Sequence, residues 1–417
     1  MIKIFTFLLL LLNFYCFQAI LAQSTSQTLD YFIKQGLQNS PLLKDFQNQI
    51  NASTIDSLLV KAGQKPKVDI NAQIMYAPVY NHFGYDDAST NGGNYTGVVG
   101  VTQPFLNGKD LRNRYETVEL QKRSFSNTYK ISRNDLTRVI TNQYLAAYAD
   151  WSDLTFNQSF LKLMQDQKEI LRKLVESGIY KQTDYLSFLI ETQTQEIGLK
   201  QAASQYEKDI RLLYQVCGML DTTHIELAQP DIQKKSLLNA VASPLFAQYK
   251  IDSLKVINSK TSVDMQYRPK LNWFADAGLL STDPSTLPQH FGYSVGVNFS
   301  IPLYDGKQRR LQYQKLDFTE DTRSNYERFF KKQYNQQVAQ LNKDLAATQE
   351  TLEQLRQQLK TSDELMTMVK ALLNSGNISI IDFITAAKNY NTINRTVNQT
   401  QIKVLQIINE LNYWMQQ

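Results

Sequence analysis

The chain has 417 residues, enough for two or three ordinary domains, and a formal net charge of +5. Its 44 basic and 39 acidic residues are interspersed, which excludes the concentrated basic surface of a nucleic-acid-binding protein. After the N-terminal segment there is no run of about 18 apolar residues, so we expect no later helix to cross a membrane. Abundant Gln and Asn with few Pro and Gly suit long helices with polar faces.

The N-terminal segment has the features of a cleaved secretory signal peptide. A small positive charge precedes the apolar residues 5–12, and the small Ala22 is followed by polar residues. We predict that residues 1–22 are removed on export, with an uncleaved membrane anchor as the alternative. Cys16 lacks the preceding small residues of a lipidation signal, so the mature chain keeps Cys217 alone and has no intrachain disulfide.

The chain contains an internal duplication, visible in short motifs that recur at constant spacing. The early motifs recur 203 residues later and the later ones 198 residues later. From Pro104 to Gly178 and from Pro302 to Gly376 both copies span 74 residues. Such a shared length is typical of long helices packed side by side, because an insertion would shift every contact beyond it. The matched motifs are Ser40-Pro41 with Ser243-Pro244, Pro66-Lys67 with Pro269-Lys270, Pro104 and Gly108 with Pro302 and Gly306, Ser177-Gly178 with Ser375-Gly376, and Asp184 with Asp382.

The duplication sets the domain boundaries. We predict a first repeat over residues 23–218, a linker over residues 219–241 and a second repeat over residues 242–417. Each repeat is expected to contain a helix, a β-hairpin, a very long helix and a returning helix. The predicted hairpins cover residues 67–105 and 270–303, and the tips at which the long helices reverse lie near residues 177–184 and 375–382.

A heptad pattern predicts the long helices. In the second repeat apolar residues follow each other at spacings of four and three without a slip, and the first repeat keeps the same frame with more polar positions. A helix over residues 110–176 would be ~100 Å long, which a globular domain cannot bury but a bundle or tube of helices can. A plain coiled coil is the alternative. The second-repeat positions are Tyr334, Val338, Leu341, Leu345, Thr348, Leu352, Leu355, Leu359, Ser362, Met366, Val369 and Leu373. The matching first-repeat positions are Leu136, Ile140, Gln143, Ala147, Asp150, Leu154, Asn157, Leu161, Met164, Lys168, Leu171 and Val175.

Alternating apolar and polar residues predict the strands. Each strand has about the 9–11 residues with which a tilted strand crosses a bilayer, and a water-soluble sheet with one buried face is the alternative. Four strands cannot close a barrel with a lumen. An open sheet in lipid would leave the backbone groups of its edge strands unpaired, so strands that cross a membrane would require the chain to oligomerise. The alternating apolar positions are Val68, Ile70, Ala72, Ile74 and Tyr76, then Leu271, Trp273, Ala275, Ala277 and Leu279, then Tyr293, Val295, Val297, Phe299 and Ile301.

The duplicated order of elements behind an export signal resembles the TolC-like outer membrane efflux family over residues 25–417. The motifs that carry the resemblance are Asn39-Ser40-Pro41, the segments 104–108 and 302–306, and the two tips. The resemblance implies an α+β membrane protein in which duplicated long α-helical hairpins form a periplasmic tube. Four β-strands per chain would contribute to a trimeric, twelve-stranded transmembrane β-barrel. It also implies a homotrimer in outer-membrane lipid, working with a periplasmic adaptor (membrane fusion) protein and an inner-membrane pump.

The tips are the candidate functional sites. Gly178 and Gly376 can adopt the left-handed conformation that ends a helix, and Thr183 and Ser379 are candidate caps for the returning helices. Asp184 and Asp382 fall in the first helical turn, where the helix dipole favours a carboxylate. The functional alternative, implied by the resemblance, places Asp184, Asp382, Phe383 and Thr385 at a pore constriction. Ser177, Gly178, Tyr180, Lys181, Ser375 and Gly376 form the turns and are candidate adaptor contacts.

Thr385 departs from the family pattern, in which a second acid often follows the first by three residues; this favours a more hydrophobic closure. The sequence shows no metal-ligand spacing, phosphate loop or nucleophile–base pair, so we expect no enzyme, cofactor or metal. The first hypothesis is therefore a passive outer-membrane exit duct for efflux or type I secretion. The rival hypothesis is a soluble periplasmic coiled-coil adaptor or structural protein.

Overall fold

The computed structural model describes residues 27–415 apart from 79, 82, 87–88, 91, 106, 221–225 and 236–242. The predicted signal peptide over residues 1–22 lies outside the described residues, and so do residues 221–225 and 236–241 of the predicted linker. Among the described residues, no helix combines the length and the apolarity that a membrane span needs.

The two halves of the chain show the same order of elements. The first half contains α1 (Leu29–Asn39), α2 (Pro41–Ala62), β1 (Lys67–Ala77), β2 (Gly92–Phe105), α3 (Gly108–Glu176) and α4 (Gln182–Val216). The second half contains α5 (Pro244–Gln266), β3 (Lys270–Ser281), a short 3-10 helix (Leu287–Gln289), β4 (Phe291–Ser300), α6 (Gln308–Asn374) and α7 (Ile380–Trp414). Hairpin, very long helix and returning helix therefore follow each other twice, as predicted.

The first half differs from the prediction at its start, because two helices precede β1. Ser40 has an extended backbone between α1 and α2, and Pro41 opens α2. Proline disfavours a helical conformation in the residue before it and lacks the N–H that a helix interior needs, so the chain breaks here. The Asn39 amide then donates to the carbonyl oxygens of Cys217 and Gly218, at 3.0 and 3.2 Å, and so satisfies the end of α4.

The predicted heptad positions form the packed seam of the long helices. All twelve named positions in α6 are buried or half-buried, and so are the matching positions in α3. Leu341, Leu345 and Leu352 of α6 pack with Ile407 and Leu411 of α7 in one apolar cluster. The spacing of four and three residues therefore reports real packing against neighbouring helices.

The four strands form one antiparallel sheet in the order β1-β2-β3-β4. Residues that face each other across strands share a face, so the register shows what each face carries. One face is apolar through successive rows, such as Val68–Val101–Ala275–Val295 and Ile70–Val99–Ala277–Tyr293. The opposite face carries mainly small and polar residues, such as the row Asp69–Gly100–Asp276–Ser294, with Phe274 as its one aromatic residue. Both alternations agree with the sequence pattern.

Contacts divide the chain into two units, each of which draws on both halves. The helical unit comprises residues up to 44 with 130–243 and 331–417, and the sheet unit comprises residues 45–129 and 244–330. The division crosses the predicted repeats, whose boundaries stay a prediction. Within the helical unit, the described part of the linker is held by side chains of the long helices: Tyr144 donates to the Ala228 carbonyl at 2.6 Å, and Asn412 to the Gln233 carbonyl at 2.8 Å.

Candidate functional site

The first tip reverses the chain through a left-handed glycine. Gly178 has φ +78°, the Gly178 N–H donates to the Val175 carbonyl at 3.0 Å, and the Ile179 N–H donates to the Leu174 carbonyl at 2.9 Å. These two bonds form the Schellman motif, which satisfies carbonyls left open at a helix end. A Cβ at a left-handed position costs energy, so glycine is the residue that suits this turn.

The second tip repeats this geometry. Gly376 has φ +72°, its N–H donates to the Leu373 carbonyl at 3.0 Å, and the Asn377 N–H donates to the Leu372 carbonyl at 2.9 Å. The preceding serines act alike: Ser177 and Ser375 each donate a hydroxyl hydrogen bond of 3.0 Å to the carbonyl three residues earlier. The repeated Ser-Gly pair is therefore a helix-ending device in both halves.

The two returning helices begin differently. Ser379 caps α7 by accepting a hydrogen bond from the Ile381 N–H at 3.2 Å, as predicted. The prediction of Thr183 as a cap is wrong, because α4 already begins at Gln182. There the Asp184 carboxylate accepts from the Lys181 N–H at 3.0 Å, so an acid in the first turn replaces the hydroxyl cap.

The two tips touch each other. The Tyr180 hydroxyl donates to the Ile378 carbonyl at 2.6 Å, which joins the first turn to the second. Burial raises the pKa of Tyr180, so the phenol stays protonated and keeps its donor at neutral pH. A Cβ placed on Gly376 would lie 2.6 Å from the Ile179 Cγ2 atom, which shows how closely the turns pack.

The four residues predicted for a constriction fall into two groups. Asp382 and Thr385 are exposed on the first turns of α7. Asp184 is half-buried, and its carboxylate already accepts a hydrogen bond from the Lys181 N–H. Phe383 is fully buried, and its ring centroid lies 5.7 Å from that of Phe188 in the cluster beneath the tips. Asp382 and Thr385 are thus the members of this set whose side chains are open to another molecule.

A polar network between α4 and α7 was not predicted from the sequence. The buried Glu191 carboxylate accepts from the Lys388 Nζ at 2.8 Å and from the Gln195 amide at 3.1 Å. The Asn391 amide donates to the Gln195 carbonyl oxygen at 3.1 Å and extends the network. Glu191 is the deeply buried partner, so the desolvation cost of the pair falls mainly on its carboxylate. No periodicity separates these residues from solvated polar residues, because their meeting depends on how two distant helices pack.

Asp150 is a half-buried acid in the helical unit, at a heptad position of α3. Burial, and next the neighbouring Asp209 carboxyl of α4, raise the pKa of Asp150 to about 7. Two carboxyls side by side in a partly desolvated place resist ionising together. The seam therefore holds an acid that is protonated below neutral pH and charged above it.

We expect Asp150→Asn to stabilise the helical unit at pH 8 by about 1–2 kcal/mol and to have little effect at pH 4. The folded pKa of Asp150 is higher than the unfolded one, so its stabilising contribution is fully present below pH about 4 and is lost as the pH rises through about 7. Helix unfolding followed against temperature at both pH values measures this. Asp166→Asn, at an exposed acid of the same helix, is the control. Equal responses of both variants at both pH values would contradict the prediction.

The His, Cys, Asp and Glu side chains of the described residues are the candidates for binding a metal ion or acting as a nucleophile. No group of three or more His, Cys, Asp or Glu side chains placed to hold a metal ion occurs in the part of the chain that the structure describes. Cys217 is a buried free thiol at the end of α4, and burial raises its pKa to about 11. A thiol with so high a pKa is a poor nucleophile at neutral pH.

The fold is shared with solved outer-membrane channels. The chain aligns with the outer membrane protein VceC from Vibrio cholerae at a TM-score of 0.75 and 13% identity, over 93% of this chain and 95% of that one. The MtrE outer membrane channel of Neisseria gonorrhoeae aligns at a TM-score of 0.74 and 11% identity, over 93% and 88%. The CmeC outer membrane channel of Campylobacter jejuni aligns at a TM-score of 0.71 and 11% identity, over 93% and 85%. The chain therefore has the fold of these outer-membrane proteins.

A sequence comparison finds a family match in part of the second half. Residues 262–413, from the end of α5 into α7, match the family model of the outer membrane efflux proteins. This match and the shared fold confirm the predicted resemblance to the TolC-like efflux family and the predicted α+β fold with long helical hairpins and a four-stranded sheet, which is open in a single chain. No curated protein sequence matches the chain significantly.

Proposed function

We propose that the chain is a passive exit duct of the bacterial outer membrane. Three copies would join their sheets into a twelve-stranded barrel, and the long helices would extend from it into the periplasm. The duct would receive substrates from an inner-membrane pump through a periplasmic adaptor, in efflux or in type I secretion. The second-half match to the outer membrane efflux family and the channel fold support this function.

The open sheet with an exposed apolar face carries the proposal. Ile74 is 82% exposed and Tyr293 85% exposed, and both belong to the apolar face described above. A contiguous apolar surface of this kind on a monomer marks a place for a partner or for lipid. Strands β1 and β4 are the edges, with no further strand paired to them among the described residues. Pairing these edges between copies would satisfy their backbone groups and leave the apolar face to the bilayer.

The decisive experiment is the native mass and membrane behaviour of the full-length protein in a Gram-negative host. A duct requires detergent for extraction, fractionates with the outer membrane and runs as a trimer of the processed chain. A soluble monomer or dimer would refute the duct and favour the coiled-coil adaptor or structural protein.

The tips are proposed as the periplasmic mouth, at which an adaptor docks on exposed turn residues such as Lys181. In a trimer three Asp382 carboxylates would form a ring that attracts cations. We expect Asp382→Asn to lower the cation-over-anion permeability ratio by about two- to fivefold in planar bilayers. Asp184→Asn is the matched control, because that carboxylate accepts from the Lys181 N–H and is expected to affect stability and not selectivity. An unchanged permeability ratio in Asp382→Asn would contradict the acidic ring and would mean that Asp382 only stabilises the start of α7 through the helix dipole.

A further inference from the structure

Basic residues flank both hairpins and are missing inside them. No Lys or Arg occurs over residues 68–108 or 271–306, yet each hairpin is preceded and followed by several. We call these flanking residues the basic collar: Lys65, Lys67, Lys109, Arg112, Arg114, Arg268, Lys270, Lys307, Arg309 and Arg310. The same distribution in both halves shows that it belongs to the architecture of the hairpin and not to one loop.

The fold gathers the collar at one end of the sheet. Lys67 lies opposite Thr102, and Lys270 lies opposite Ser300, so the starts of β1 and β3 lie beside the ends of β2 and β4. This is the end of the sheet that leads into the helices. The loops at the other end contain no Lys or Arg but do contain Asp86 and Asp283. The sheet unit is therefore electrically asymmetric along its strands.

Most of the collar is not neutralised within the chain. Arg114 forms a salt bridge with Asp110 at 3.2 Å, and Arg309 forms one with Asp264 at 2.7 Å. The other collar residues form no salt bridge among the described residues, and of these Arg268 lies near enough to the Asp264 carboxylate to help lower its pKa. All are exposed except Arg268, which is half-buried. Clustered exposed cations beside a membrane-facing surface attract anionic headgroups.

A cavity of about 380 Å³ opens within the collar and is lined by Arg114, Arg268 and Lys270, together with one carboxylate, that of Asp110, which forms the salt bridge with Arg114. Asn113 of α3 also lines it and is only 7% exposed. Its amide nitrogen donates to the Ser262 hydroxyl at 2.6 Å, while its Oδ1 atom has no hydrogen-bond partner among the described residues. A buried acceptor without a partner is costly, so this cavity suits a ligand that brings a donor as well as negative charge.

We propose that this cavity and the basic collar bind the headgroup of an anionic phospholipid that carries a hydroxyl, of which phosphatidylglycerol is the simplest. The phosphate would lie against Arg268 and Lys270, and the headgroup hydroxyl would donate to Asn113 Oδ1. The inference rests on the proposed function, since it requires the sheet to be in a bilayer. It assigns the helix-facing end of the sheet to a leaflet that contains anionic phospholipid.

Native mass spectrometry of the full-length protein in mild detergent tests the site, with phosphatidylglycerol, phosphatidylethanolamine and phosphatidylcholine offered separately. We expect preferential retention of phosphatidylglycerol, weakened by about fivefold for each charge removed and so about 25-fold in Arg268→Gln/Lys270→Gln. Lys200→Gln/Lys208→Gln removes the same charge from exposed positions on α4 and is the control, expected to behave like wild type. Asn113→Leu, which removes the acceptor at similar volume, is expected to reduce the retention of phosphatidylglycerol.

Three results would overturn the inference: equal retention of the three lipids, equal weakening in both double variants, or displacement of the lipid by excess inorganic phosphate. The last would show a site for free phosphate. A membrane-bound trimer without lipid preference would defeat this inference alone. A chain that never enters the membrane would defeat the proposed function as well, so the two failures are distinguishable.

Discussion

Replacing Gly376 with Ala is expected to destabilise the helical unit by about 2–3 kcal/mol, whereas Gly178→Ala should cost about 1 kcal/mol. Both glycines have left-handed backbones, with φ +72° and +78°, so both alanines suffer the same backbone strain. The difference lies in the surroundings. A Cβ on Gly376 meets the Ile179 Cγ2 atom at 2.6 Å, but a Cβ on Gly178 has nothing within 4 Å. Thermal unfolding of the full chain, followed by helix content, measures both costs.

A double-mutant cycle separates the clash from the backbone strain. Ile179→Ala removes the Cγ2 atom, so Gly376→Ala in that background is expected to cost only the strain of about 1 kcal/mol. In the Gly178→Ala background, Ile179→Ala should have no such rescuing effect. If the two glycine substitutions cost the same in wild type, the tips do not pack against each other as described, and their joint role at a pore mouth loses its support.

Periodicity predicted the parts of this fold that repeat. The heptad positions of α6 recur at fixed spacing because each residue meets a neighbouring helix, and a single sequence records that spacing. The two faces of each strand were predictable for a similar reason. Side chains alternate between the faces, so assigning one residue to a face assigns all the others in that strand. The Ser-Gly tips were predictable because a left-handed turn requires glycine almost regardless of context.

The contacts between distant segments could not be predicted in this way. Glu191 and Lys388 meet only after two returning helices pack at one particular offset, and their sequence neighbourhoods resemble any solvated helix face. Asp150 was visible as a polar residue in an apolar seam, but its partner Asp209 lies on another helix. The sequence suggested a hydroxyl cap at Thr183 for the start of α4. In the structure the neighbouring Asp184 carboxylate accepts the hydrogen bond from the Lys181 N–H instead. Local capping alternatives of similar energy are not separated by sequence alone.

Replacing Val295 with Arg is expected to abolish most membrane assembly. Val295 lies in the middle of β4 on the apolar face, opposite Ala275, and is 74% exposed in the single chain. If that face meets lipid, a guanidinium near the bilayer midplane costs about 2–4 kcal/mol for each chain, and three chains contribute in a trimer. The fraction of protein that resists carbonate extraction from outer membranes measures the effect.

Ser294→Arg is the control, because it places the same charge one residue away on the opposite face. There the side chain would lie beside Asp276, whose carboxylate accepts a hydrogen bond of 2.8 Å from the Ser294 hydroxyl. An arginine on this face would meet a carboxylate and the water of a lumen, so assembly should stay near wild type. Equal loss in both variants would mean that the strand tolerates no bulk on either face. Equal retention would mean that the apolar face does not meet lipid. Only the difference between two neighbouring residues of one strand identifies which side of the sheet faces the bilayer.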